Sequence, residues 1–131
     1  MLFPLLLNLI FSYLVFLIFI MSLQELLLHL QTKQKVFKDV LAFIQQHYNY
    51  RPTSFRNGEI VNAANENQGS ARILYFAKLN NLSEEDTLSL FAEHYEEVKF
   101  TPEGDSHPNI RQFIRYGWSG VAFEQPVLSK K

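Results

Sequence analysis

The chain has 131 residues, no cysteine, 12 Lys plus Arg against 13 Asp plus Glu, and a net charge of −1. That composition excludes a disulfide framework, a thiolate metal site and a cysteine nucleophile. It also leaves no general electrostatic drive toward nucleic acid or anionic lipid.

Residues 1–20 contain no Asp, Glu, Lys, Arg or His, and their only non-apolar members are Pro4, Asn8 and Ser12. The apolar run from Leu5 to about Leu23 is long enough to cross a hydrocarbon core of roughly 30 Å. A cleaved signal peptide is disfavoured, because no basic residue precedes the run and no small-x-small cleavage site follows it. Two readings stay open: a membrane segment, or a leader outside the real product, with translation starting at Met21. Ser22-Leu23-Gln24-Glu25 has the form of a capping box, with Met21 and Leu26 at the positions of a hydrophobic staple. These features favour a helix start at Ser22 and a globular domain over residues 21–131.

Within that domain the apolar spacing predicts helices over about 22–31 and 34–47, the second with Val36, Phe37, Val40, Leu41 and Ile44 on its inner face. Pro52 ends this stretch. Asn57-Gly58 signals a turn, and Ile60-Val61 suits a short strand. The amide-rich segment from Asn62 to Gly69 is expected to be a loop, and Ser70 to cap a third helix over about 71–79. Ser83-Glu84-Glu85-Asp86 opens a fourth, over about 84–97, with acids where the helix dipole favours them. Pro108 at the first turn and Gly117 just past the end bracket a fifth, with Ile110, Phe113 and Ile114 inward. Val121-Ala122-Phe123 is expected to pair with Ile60-Val61, and residues 125–131 to fray. The fold class is mainly α (α+β): about five helices around one core with a minor two-stranded β element.

Four segments then appear in order: Arg51-Pro52-Thr53-Ser54-Phe55-Arg56-Asn57-Gly58, Asn62-Ala63-Ala64-Asn65-Glu66-Asn67-Gln68-Gly69-Ser70, His107-Pro108-Asn109-Ile110-Arg111-Gln112-Phe113 and Gly117-Trp118-Ser119-Gly120. Together they resemble the HopJ family over about residues 26–123. The family's pattern usually has a glycine at Asn65, a glutamate at Gln68, a cysteine or small residue at Ala71 and an aspartate at Ser106. The resemblance implies a bacterial protein named for type III effectors and brings no established reaction. A type III signal is an unfolded polar N-terminus, the opposite of the apolar leader here.

Two polar segments are candidate sites. Asn62, Asn65, Asn67, Ser70 and Arg72 offer amide donors and acceptors beside a helix N-terminus able to hold an anion. The bland alternative is that these amides serve their own backbone. In the second segment His107 is the candidate base, with Asp105 or Glu66 as partner, and Asn109 and Arg111 as neighbours. Simple capping of the first turn by Asp105, Ser106 or His107, with Arg111 in a surface pair, is the favoured explanation. Trp118 is either a stacking platform or a core anchor. No metal site is expected: Asp105 and His107 lack a third ligand, and His94 lies among Glu93, Glu96 and Glu97 on what reads as a solvated face. No phosphate-cradling or dinucleotide motif is present, so no cofactor is expected. The leading expectation is a non-enzymatic cytoplasmic binding module for an unknown protein or small polar ligand. The alternatives are a small hydrolase or lyase, and a membrane-anchored form of the same domain.

Overall fold

The computed structural model describes residues 2–131. Its mainly helical architecture with a small β component is the α+β class expected from the sequence.

Helix α1 (Leu2–Gln31) is continuous. The expected helix start at Ser22 is not formed. With helix already propagating from upstream, the Ser22 hydroxyl donates to the Ile18 carbonyl one turn back instead of capping Glu25, the usual habit of a mid-helix serine. Met21 is 64% exposed, so the staple is absent too. Residues 2–18 are exposed, and burial begins in earnest at Leu23, continuing through Leu26, Leu27 and Leu30.

Helix α2 (Phe37–His47) starts where Asp39 accepts the Val36 N–H at 2.8 Å. It runs directly into strand β1 (Tyr48–Tyr50), which pairs antiparallel with β5 (Leu128–Lys130). The tail is therefore part of the fold rather than frayed. Val127 and Leu128 are fully buried apolar side chains, and their burial holds the chain end against the strand.

Strands β2 (Phe55–Asn57) and β3 (Ile60–Asn62) form a hairpin whose two-residue loop begins at Gly58. Gly58 has φ +61, and a Cβ there would lie 2.2 Å from Gln112 Oε1, so glycine is required. Strand β4 (Val121–Phe123) pairs with β2, not with Ile60-Val61 as expected, giving the order β3-β2-β4. The hydrogen bond from Gly58 N to Gly120 O, 2.9 Å, fixes this choice.

Helix α3 (Gln68–Leu79) is the centre of the core, with Ala71, Ile73, Leu74, Phe76 and Ala77 all buried. It begins three residues before the expected start, with Asn67 rather than Ser70 at the cap position. The expected fourth helix is two: α4 (Glu84–Ser89), capped by Ser83 Oγ at 3.0 Å, and α5 (Glu93–Phe100). The break is Ala92, at φ 52 and ψ −123, outside any helical region. Helix α6 (Pro108–Tyr116) ends at Gly117, followed by a 3₁₀ turn (Gly117–Gly120). Ile110 and Phe113 are buried as expected, but Ile114 is exposed. In so short a helix the inner face is filled by Asn109, Ile110 and Phe113.

The pairing of β1 with β5 yields a test. Leu128→Ala should lower unfolding free energy by about 2–5 kcal/mol, the range for deleting a buried leucine side chain. Denaturant unfolding followed by the fluorescence of Trp118 reads this, and a neutral result would restore the frayed tail.

Candidate functional site

Four asparagines from separate segments meet behind the site. Asn57 closes β2, Asn62 closes β3, Asn67 precedes α3 and Asn109 sits in the first turn of α6. Asn57, Asn62 and Asn109 are 0%, 1% and 3% exposed. Asn57 Nδ2 donates to Asn109 O (2.8 Å) and Oδ1 (3.0 Å). Asn62 Nδ2 also donates to Asn109 Oδ1 (3.2 Å), and Asn109 Nδ2 returns a bond to Asn62 Oδ1 (3.0 Å). Asn67 Nδ2 reaches in to the same Asn62 oxygen at 2.7 Å. Each amide brings donors and an acceptor, so the group largely satisfies itself away from water. The one exception is the Asn57 Oδ1 atom, buried without a partner.

The segment expected to read a ligand is therefore mostly a frame. Gln68 continues it. Its Oε1 accepts from Tyr50 OH (2.7 Å) and Thr53 N (3.1 Å), and its Nε2 donates to the carbonyls of Thr53, Ala63 and Glu66. Arg72 is engaged by its own surroundings: Nε donates to Gln68 O and the guanidinium lies 4.7 Å over the Tyr50 ring. Burial raises the Tyr50 phenol above its ordinary range, partly opposed by the Arg72 charge. Glu66 accepts the Ala63 N–H at 2.9 Å, and Asn65 is exposed. Trp118 is half-buried, edge-on to Phe113 at 4.9 Å, in the manner of a core anchor.

In front of this frame lies an open cleft of about 310 Å³. Phe37 and Phe91 form its apolar side, Gly69 and Ser70 bring the start of α3, and His107, Pro108 and Asn109 bring the start of α6. His94 of α5 completes it. A slightly larger cleft, about 340 Å³, lies between Tyr75, Leu79 and Phe123. Its only charged lining groups are Lys78 and Glu124, so the chemistry favours the first.

His107 is paired with neither Asp105 nor Glu66. Its Nε2 lies 2.7 Å from Glu97 Oε2. Asp105 is exposed on the preceding loop, while Glu66 is spent on its own turn. The His107 hydrogen bond and charge, with His94 and Arg111 adding smaller effects, hold the Glu97 carboxyl below the usual carboxylate range. The His94 ring stands 4.7 Å from that of His107 and 4.7 Å, edge-on, from Phe37. His94 thus faces the cleft, not a purely solvated helix face. The available signal was its three-residue spacing from Glu97, which puts both on one side of α5.

Arg111 fixes the loop that presents His107. Its guanidinium donates to Ser106 O, to Thr101 O (2.7 Å) and to the Thr101 and Ser106 hydroxyls. His107 itself has φ 49 and ψ 60, a left-handed conformation uncommon for non-glycine residues, though histidine is among those that adopt it most often.

Residues 23–128, from the first buried leucine of α1 to the first residue of β5, match the family described as HopJ type III effector protein. The chain belongs to that family. It is also similar to the crystal structure of VPA0580, described as a protein of unknown function. The two share 40% sequence identity, with a TM-score of 0.75, covering 82% of this chain and 92% of that one. Among curated proteins none matches. Gln68 uses its side-chain N–H₂, which a carboxylate in its place would lack, to bond three carbonyls.

Asn109→Ala should cost about 1–3 kcal/mol of stability, because it strips the shared acceptor from two buried amides. Asn65→Ala, at an exposed position, should stay within about 0.5 kcal/mol. Thermal unfolding of both variants checks the contrast; equal effects would mean the amides are not a structural unit.

Proposed function

We propose that this HopJ-family chain is a non-enzymatic binding module, and that its ligand is a small molecule carrying an anionic group held in the cleft between α3, α5 and α6. The observation that carries the reading is the convergence of two uncapped helix starts on one cleft beside two imidazoles. Neither α3 nor α6 has a side chain capping its first turn, and neither has an acidic residue there. By contrast α2, α4 and α5 each carry acids in the first turn. Free N–H groups and the positive end of the helix dipole favour an anion, and the Phe37–Phe91 side accommodates an apolar body. A hydrolase or lyase reading would have to run through the His107–Glu97 pair, because His107 meets neither Asp105 nor Glu66.

Inorganic phosphate tests this in the EDTA-treated full chain in detergent micelles, followed by amide chemical-shift mapping. The expected shifts fall on the N–H groups of Gly69, Ser70 and Asn109. Ser70→Glu puts a carboxylate in the third helical position, where a helix tolerates it well, and should weaken phosphate binding about tenfold, or 1.4 kcal/mol. Shifts scattered over surface lysines, and unchanged by Ser70→Glu, would defeat the proposal.

We further propose that residues 2–18 sit in a lipid bilayer and anchor the domain to it. Support comes from their exposure along one uninterrupted apolar helix. This reading suits the chain better than delivery as a secreted effector, which the family name implies. Carbonate extraction of cells expressing the full chain should leave it in the membrane pellet. A Leu9→Arg, Leu14→Arg double variant should release it, each arginine costing about 2.5–3.5 kcal/mol in the bilayer centre. Recovery of the parent chain in the supernatant would exclude the anchor.

A further inference from the structure

The geometry points to a divalent transition-metal site formed by His94, Glu97 and His107. One imidazole nitrogen from each histidine and one Glu97 oxygen all lie within 4.8 Å of one another. A tetrahedral ion with metal–nitrogen distances of about 2.0–2.1 Å and metal–oxygen distances of about 2.0–2.2 Å places its ligand atoms roughly 3.3–3.5 Å apart. The cluster brackets that spacing. The His107–Glu97 contact is tighter, at 2.7 Å, because a hydrogen bond rather than an ion joins the pair. Small side-chain rotations would open one contact and close the others.

Three features distinguish the cluster from an ordinary surface ion pair. The first is its composition. Two imidazoles and one carboxylate are the donor set of three-ligand zinc centres, which keep a further coordination position open. Imidazole nitrogen suits zinc, cobalt, nickel and copper, whereas all-oxygen sets suit magnesium or calcium. The second is its construction from two elements, each entered through strained backbone. Ala92 turns the chain at φ 52 so that α5 begins there, placing His94 and Glu97 one turn apart. His107, at φ 49, returns an imidazole over them from the start of α6. Backbone in these regions costs of order 1–3 kcal/mol per residue and persists where surrounding structure imposes it. The third is placement. Both histidines also line the cleft, so the open position of a bound ion would face that space. Phe37 packs edge-on against the His94 ring and restricts its rotation. Arg111, whose charge acts on Glu97, is committed to the carbonyls of the 101–106 loop.

This inference goes beyond the anion-binding reading and does not require it. Metal binding would give that cleft a second way to hold a carboxylate or phosphate, as a ligand on the ion.

The test uses the full chain in detergent micelles, in phosphate-free buffer. Zinc chloride is titrated by calorimetry, and cobalt(II) by its visible ligand-field absorption. The expected result is one ion per chain, a cobalt band characteristic of nitrogen and oxygen ligands in low coordination, and a higher Tm with zinc. Glu97→Gln, His94→Phe and His107→Gln should each weaken zinc binding at least about tenfold, while His29→Gln and His47→Gln leave it unchanged. If a histidine variant loses its far-ultraviolet helical signal, Glu97→Gln decides, since it keeps the shape and a hydrogen-bonding oxygen. The inference is overturned if the folded parent chain gives no saturable zinc heat and no cobalt band, or if Glu97→Gln binds as tightly as the parent. The phosphate titration above is run with EDTA present, so failure of either reading leaves the other measurable.

Discussion

The structure around the cleft depends on one interaction, the exchange of hydrogen bonds among Asn57, Asn62 and Asn109. These residues come from a hairpin and a helix start nearly fifty positions apart, and all three are buried. An unpaired amide in such a place costs roughly what a hydrogen bond to water is worth, so each holds the others in register. Asn67 hangs the start of α3 from the same group. The two helix ends that bound the cleft are thus set relative to each other by side chains rather than by backbone pairing. Because amides do not ionise in the accessible range, this frame is indifferent to pH.

Much of the fold was legible in the sequence where local chemistry decides the outcome. Helix α2 follows from its apolar stripe, α4 from the Ser83 cap, and α6 from Pro108 and Gly117. The turn at Gly58 follows from the need for positive φ. Other features depend on partners distant in sequence. Nothing in Tyr48-Asn49-Tyr50 marks it as the partner of Leu128-Ser129-Lys130, and either of the two nearby runs could have paired with Val121-Ala122-Phe123. Alanine is a good helix former, so the break at Ala92 is imposed by packing rather than announced by residue type. Ser22 misled in the opposite direction: it carries a cap signature, but the helix passes through it because the preceding residues are themselves helical.

The candidate site was half visible for the same reason. His107, Ser70 and Asn109 were singled out and do border the cleft. His94 and Glu97 were absorbed into a run of acids that reads as solvated surface. Only the bend at Ala92 reveals that one side of α5 looks inward across the cleft at α6. Arg72 and Arg111, both cationic and both suited by type to an anion, are instead occupied with holding Tyr50 and the 101–106 loop. The donors the cleft presents are accordingly the backbone N–H groups at the two uncapped helix starts.

Helix α1 has a mechanical consequence. It contains no proline past its first turn, no glycine and no interruption between the exposed residues 2–18 and the leucines from Leu23 that enter the core. Kinks in helices arise from such elements or from inserted side chains and water. Without them, the roughly 25 Å of exposed rod behaves as a lever rigidly joined to the domain, not as a tether. Any surface that grips the rod also sets the heading of the domain, and hence the direction in which the cleft opens.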